Sequence, residues 1–580
     1  MNRRSFLKSI GITAGTAIAA DSFGASAQHQ ESPLFLSTNN RDRNVVTSTG
    51  LNEWVPTSAQ PWDVHTINHL YRRAGFGASQ SELKAILDPQ TGKTPGQTVD
   101  ALLNNSLLTR PTVPPIPTRA DQEPPQPPSW LRVPLSAVYT DTKVAEADYL
   151  HADMKIRAHW AVQMHQPEVM LREKMALFWM NHFVIESRKD YFPQMLYAHL
   201  TYMRQNAWGN FKQMVKDITV APAMLFYLDG ILNAGIAPNE NYARELQELF
   251  TMGPLDKNGN PNYTQDDVEA IAHVLTGWRI HMEDPQMMVA LYADRHDSSP
   301  QKIYDGQLRN YNLESAGVPM DMDLIDHIFE LRADAIAWFM CSKFYQYFVY
   351  HQITTDAQRA IIQQLADTFK VNWNVKDVLS LLLKSEHFFD EVNIGSQIKS
   401  PYEYLIGVLR AFDIPLYNPG APIDGELYAG TLYDLAFAGS QELLNPPNVK
   451  GWPGYHNWMS TVTLPYRNVR IATPLLIGGS LPATGQDGYG NSYKSIDLWD
   501  YMVTSWGKQL SNYDGTFDDL LREIANYLCA QPPSATALQY VKSQLPPNTY
   551  EWASLNDSEK LSGLRQIANQ ILLLADYQLC

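Results

Sequence analysis

Apolar residues recur at three- and four-residue spacing over most of the chain, the pattern of helices that each bury one face. The segments 141–165, 167–187, 191–206, 239–252 and 264–276 show it, as do 324–350, 355–369, 375–388, 401–412 and 558–577. A helix is expected to start at Asp63 and to stop at Gly75-Phe76-Gly77. Ser79 with Glu82 then forms a capping box that opens the next helix. Alternation of period two is scarce. The fold expected is therefore mostly α: a large multi-helix domain with long irregular loops and few or no strands. Between Pro111 and Pro128 eight prolines fall in eighteen residues, so 111–128 reads as an extended loop. Residues 28–60 are polar and aperiodic and are expected to be a disordered leader. One helical domain, 61–580, follows.

The first residues change the picture of where the protein works. Arg3-Arg4-Ser5-Phe6-Leu7-Lys8 precedes a weakly apolar run from Ile10 to Ala20, and Ala25-Ser26-Ala27 offers a cleavage site. That is the pattern of a twin-arginine export signal, 1–27, a route for folded proteins. The run is too short and too rich in Gly, Ala and Thr to span a bilayer. The expected location is periplasmic or extracellular, without a membrane span. A hydrophobic content of 44% with 18% charged residues is globular composition. The formal charge of −16 argues against nucleic acid as a partner. Of the three cysteines, Cys341 sits in an apolar run and reads as inert, while Cys529 and Cys580 are available to pair.

Five motifs occur in order. They are His69 to Ser79 (HLYRRAGFGAS), Arg172 to Phe183 (REKMALFWMNHF), and Asn239 to Thr251 (NENYARELQELFT). Tyr263 to Val268 (YTQDDV) leads to Leu275-Thr276-Gly277-Trp278, and Pro446 to Gly454 (PPNVKGWPG) comes last. Together they make the chain resemble the bacterial "domain of unknown function 1800" family from about Trp62 onward. The chain carries Met180 where many relatives have histidine, and lacks the usual histidine-proline-threonine start near Ala337-Trp338. The resemblance implies an exported helical protein, often encoded beside a protein resembling the alkaline phosphatase and sulfatase superfamily, which is the partner expected from it. It implies no reaction.

Candidate chemistry comes from the side chains. Glu245 and Glu248 lie three apart on one helix face with Asn241, suited to a divalent metal or to general acid/base work. An ion-pair ladder of Glu240, Arg244 and Glu248 is the plainer use, and it leaves Glu245 over. His182 falls on the apolar stripe of its helix, either as a ligand or as a satisfied core residue. His296-Asp297 lies in a polar loop and supplies metal ligands or an oriented base, unless Asp297 to Pro300 is only a turn. Catalysis is thus expected from Glu245, His296 and Asp297. A metal set is expected from His182, Glu245, Glu248 and Asp297, and substrate contacts from Arg72, Trp452 and Arg467. Asp256, Asn258, Asn260, Asn262, Thr264 and Asp267 have the spacing of a calcium loop, with Pro261 where glycine is usual; a turn feeding a capped helix competes. No His-Glu-x-x-His, phosphate-binding loop, serine elbow or paired Cys-x-x-Cys occurs. The leading expectation is an exported metal-dependent enzyme, hydrolytic or oxidative. The alternative is a non-enzymatic helical protein that binds or assembles an exported partner or an envelope polymer.

Overall fold

The computed structural model describes residues 50–104, 153, 156–157, 159–188, 192–281, 289–311, 323–413, 436–437, 439–468 and 515–580. Residues 1–27, expected to be an export signal, most of the expected leader and the proline-rich 111–128 lie outside these.

The described chain is mostly helical, and its only sheets are two antiparallel two-stranded ones. The helices that frame the sites are α1 (Val64–Arg73), α2 (Met170–His182), α3 (Pro193–Gln205), α4 (Asn241–Glu245), α5 (Gln265–Val274), α6 (Ala333–Phe348), α7 (Asp356–Asn372) and α8 (Phe517–Leu528). Side-chain caps set many of their starts: Asp63 begins α1, Thr264 α5, Thr355 α7 and Thr516 α8, each accepting from backbone N–H groups of the first turn. Ser79 and Glu82 form the expected capping box.

Helix α2 is buried almost all round, with Trp179 and Met175 fully enclosed and even Glu173 and Lys174 out of solvent. It is the axis of the core, and this explains its mixed sequence. Charges so placed need partners. Glu173 receives Arg204 of α3 at 2.8 Å, and Lys174 pairs with Glu403. Phe178, Trp179, Phe183, Phe211, Phe344 and Phe369 form the aromatic centre around it.

Residues 50–60 are not loose. Trp54 is buried, stacks on Phe389 at 4.3 Å, and donates its backbone N–H to Lys384 O. The polar spacing around Trp54 hid this single large apolar anchor. Helix α5 runs through Thr276-Gly277 into β1 (Trp278–Ile280), which pairs antiparallel with β2 (Val289–Leu291), Arg279 opposite Ala290. A shorter pair, β3 (Gln301–Lys302) and β4 (Leu308–Arg309), follows.

Candidate functional site

The loop after β2 folds back over the end of α5. Arg295 O accepts the Gly235 N–H at 2.8 Å, and Asp297 N donates to Thr276 Oγ1 at 2.7 Å. Space for this return is made by glycine. A Cβ on Gly235 would stand 3.3 Å from Asp297 N. One on Gly277, at φ +95°, would stand 3.0 Å from His296 Cβ. The result places Asp297 Oδ2 2.6 Å from Nδ1 of His273, which sits in the last turn of α5. Hydrogen bonds from Ser299, side chain and backbone, and then the His273 contact hold the Asp297 carboxyl down to about 2. Asp297 is therefore an ionised acceptor, and His273 must donate its Nδ1–H to it. That fixes the tautomer with the lone pair on Nε2. The imidazole is 37% exposed, so Nε2 can reach a solvent-borne group.

His296, expected to be the chemical partner of Asp297, turns instead to the backbone: its Nδ1 donates to Thr276 O at 3.0 Å. Neighbours in a loop point different ways, and the fold supplied His273 across space. His273 carried no sequence signal beyond its place three residues before Thr276-Gly277-Trp278, on the solvent side of an amphipathic helix.

A second cluster joins three of the other motifs. After Glu245 the helix widens into a π turn, Leu246–Thr251, a feature common where a helix is bent for function. Glu245 is half-buried; burial and then the neighbouring Glu248 push its carboxyl upward, with Lys450 and Arg244 opposing. Lys450 Nζ lies 3.4 Å from Glu248 Oε1, so the Pro446 to Gly454 loop reaches this face. The expected ladder is present in part: Arg244 pairs with Glu240 at 2.7 Å and turns to Gln265, while Glu248 goes to Lys450. Beneath lies His182. Its Nε2 donates to Phe250 O at 3.0 Å, and Nδ1 receives Lys343 Nζ at 2.9 Å. Burial, and then Lys343, keep this imidazole neutral.

The metal set expected from sequence does not come together. His182 has both ring nitrogens engaged, and Asp297 is bound to His273 and Ser299. Among the described residues no group of three or more His, Cys, Asp or Glu side chains is placed to hold one ion. In the expected calcium loop, Asp256 accepts from Asn258 N and Asn260 N at 2.8 Å. Asp267 caps α5 through Thr264 and also accepts from Tyr304 N. Both carboxylates are thus spent on local turns.

The three residues expected to touch substrate are interior. Arg72 donates to the carbonyls of Tyr527, Leu528 and Cys529, closing the C-terminus of α8. Arg467 is fully enclosed and donates to Lys399 O at 2.9 Å. Trp452 is 6% exposed; its backbone N–H donates to Asn181 Oδ1 at 2.6 Å, and Asn181 Nδ2 returns a bond to Trp452 O. Gly451, at φ +81°, is required here, because a Cβ would fall 2.2 Å from Asn181 Oδ1. The loop thus plugs the bundle against α2 rather than lining a pocket with its tryptophan. Beside Arg72 is a cavity of about 20 Å³, room for about one water. Cys529 and Cys580 are both free thiols, and Arg73 Nη1 reaches the Cys580 sulfur at 2.9 Å.

Residues 69–579 match the family model described as "Protein of unknown function (DUF1800)", and the chain belongs to that family. No curated protein and no solved structure matches it.

Proposed function

We propose that this member of the DUF1800 family is an exported hydrolase in which His273 is the general base and Asp297 orients it. One observation carries the reading: the 2.6 Å contact between Asp297 Oδ2 and Nδ1 of the part-exposed His273 imidazole. A histidine so fixed takes a proton from water as the oxygen attacks a carbonyl carbon, then returns it to the leaving group. Asp297 stays ionised and stabilises the imidazolium that forms between the two transfers. The exposed side chains of Leu232 and Ile236 flank Gly235, which touches Asp297, and they supply an apolar lip for the acyl part of an ester. Export rests on the Arg3-Arg4 start, and replacing both arginines by lysine should leave the protein in the cytoplasm.

The test is hydrolysis of p-nitrophenyl acetate, butyrate and octanoate by the purified mature protein, beside His273→Gln and Asp297→Asn. The reading expects both variants to lose about 10²–10⁴ in rate with unchanged helical content. Equal rates in all three proteins, or no rate above buffer in the wild type, would remove it.

A further inference from the structure

Lys343, on α6, is a lysine held by a histidine rather than by a carboxylate. Its Nζ lies 2.9 Å from His182 Nδ1, and its next contact, Leu249 O, is long at 3.4 Å. Since His182 spends its Nε2–H on Phe250 O, Nδ1 is an acceptor with one lone pair, aimed at the amine. Phe339 covers the other side, its ring centroid 4.8 Å from Nζ, and rests on Gly253 where a Cβ would intrude to 2.7 Å. Burial alone brings the ammonium down to about 7; no carboxylate contributes to the shift. Capping the π turn would be served by an ammonium lying on Leu249 O. The imidazole accepts from Nζ without supplying a negative charge, so no anionic partner holds the extra proton on this amine. The residue as a whole keeps part of its surface in solvent, the side from which a carbonyl compound would approach.

We propose that Lys343 is a nucleophilic amine that condenses with the carbonyl carbon of an aldehyde or ketone, with His182 as its positioning residue. The amine nitrogen forms a bond to the carbonyl carbon, and both of its protons pass through solvent to the carbonyl oxygen. That oxygen leaves as water, and an imine remains; nothing is oxidised or reduced. The site shares no residue with the Asp297–His273 dyad.

The experiment uses the folded mature protein with pyridoxal as the carbonyl probe. Cyanoborohydride reduces the imine, and peptide mass spectrometry reads labelling rate lysine by lysine. Lys343 should be labelled at least about tenfold faster at neutral pH than the well-exposed Lys450. His182→Leu should erase that advantage, and His182→Gln, which keeps a donor and an acceptor, should restore part of it, with Lys450 unchanged throughout. Labelling of Lys343 no faster than Lys450 in the wild type overturns the proposal whether or not the variants fold. So does an advantage that survives His182→Leu.

Discussion

Two side chains define the dyad, and they respond differently to substitution. Asp297→Asn keeps the size but presents an amide that can donate as well as accept, so the His273 tautomer is no longer imposed. The expected outcome is the rate loss given above with a melting temperature within a few degrees of wild type, because the pair is part-exposed and contributes little to stability. At Gly451 the balance is reversed. Gly451→Ala adds a methyl into Asn181 at a left-handed backbone position, and should cost more than about 1 kcal/mol. Denaturant unfolding measures it, and a red-shifted tryptophan emission would report Trp452 leaving its pocket. No change in either would show the loop is held by something other than Asn181.

Among the elements, helix existence was legible from periodicity and caps, because a helix buries a face and needs its first N–H groups satisfied wherever it sits. Ser79 and Thr264 announced their helices in this way. What each helix meets was not legible. Arg72 and Arg467 read as ligand contacts because arginine seldom lies buried. Here they serve carbonyls that tertiary folding left without partners, the last ones of α8 in the case of Arg72. The sequence marked Asp297 but not His273, since a helical histidine gives no sign of the loop that will return to it. The helix C-terminus at Leu528 yields a prediction: Arg72→Leu strands three carbonyl groups in the interior. It should cost about 3 kcal/mol or more, read as a drop in melting temperature. Rescue by Arg72→Lys should be slight, because an ammonium cannot span three carbonyls with a planar fork.

At the scale of the whole molecule, buried neutral histidines set the acid limit of the fold. Burial holds His69 down to about 3, and His199 and His387 to about 4, all three almost without exposure. Unfolded, each would protonate near 6.5. Between 6.5 and 4 the unfolded chain therefore binds more protons than the folded one, and stability falls as pH falls. Each histidine contributes about 1.4 kcal/mol per pH unit within that window. Melting temperature should drop steeply below pH 6.5 and flatten below the folded values; a level profile from 7 to 4 would mean these rings are not buried neutral. No described helix is long and apolar enough to cross a membrane. In the proposed mechanism function and acid stability thus rest on different histidines, since His273 is part-exposed beside Asp297 and these three are buried.

Nitrogen NMR of the histidine-labelled protein, with His273 assigned by its loss in His273→Gln, tests the central claim most directly. Wild type should show His273 with its proton on Nδ1 and a bare Nε2, and Asp297→Asn should lose that preference. An Nε2–H tautomer in the wild type, or one indifferent to Asp297, would contradict an oriented base at this site.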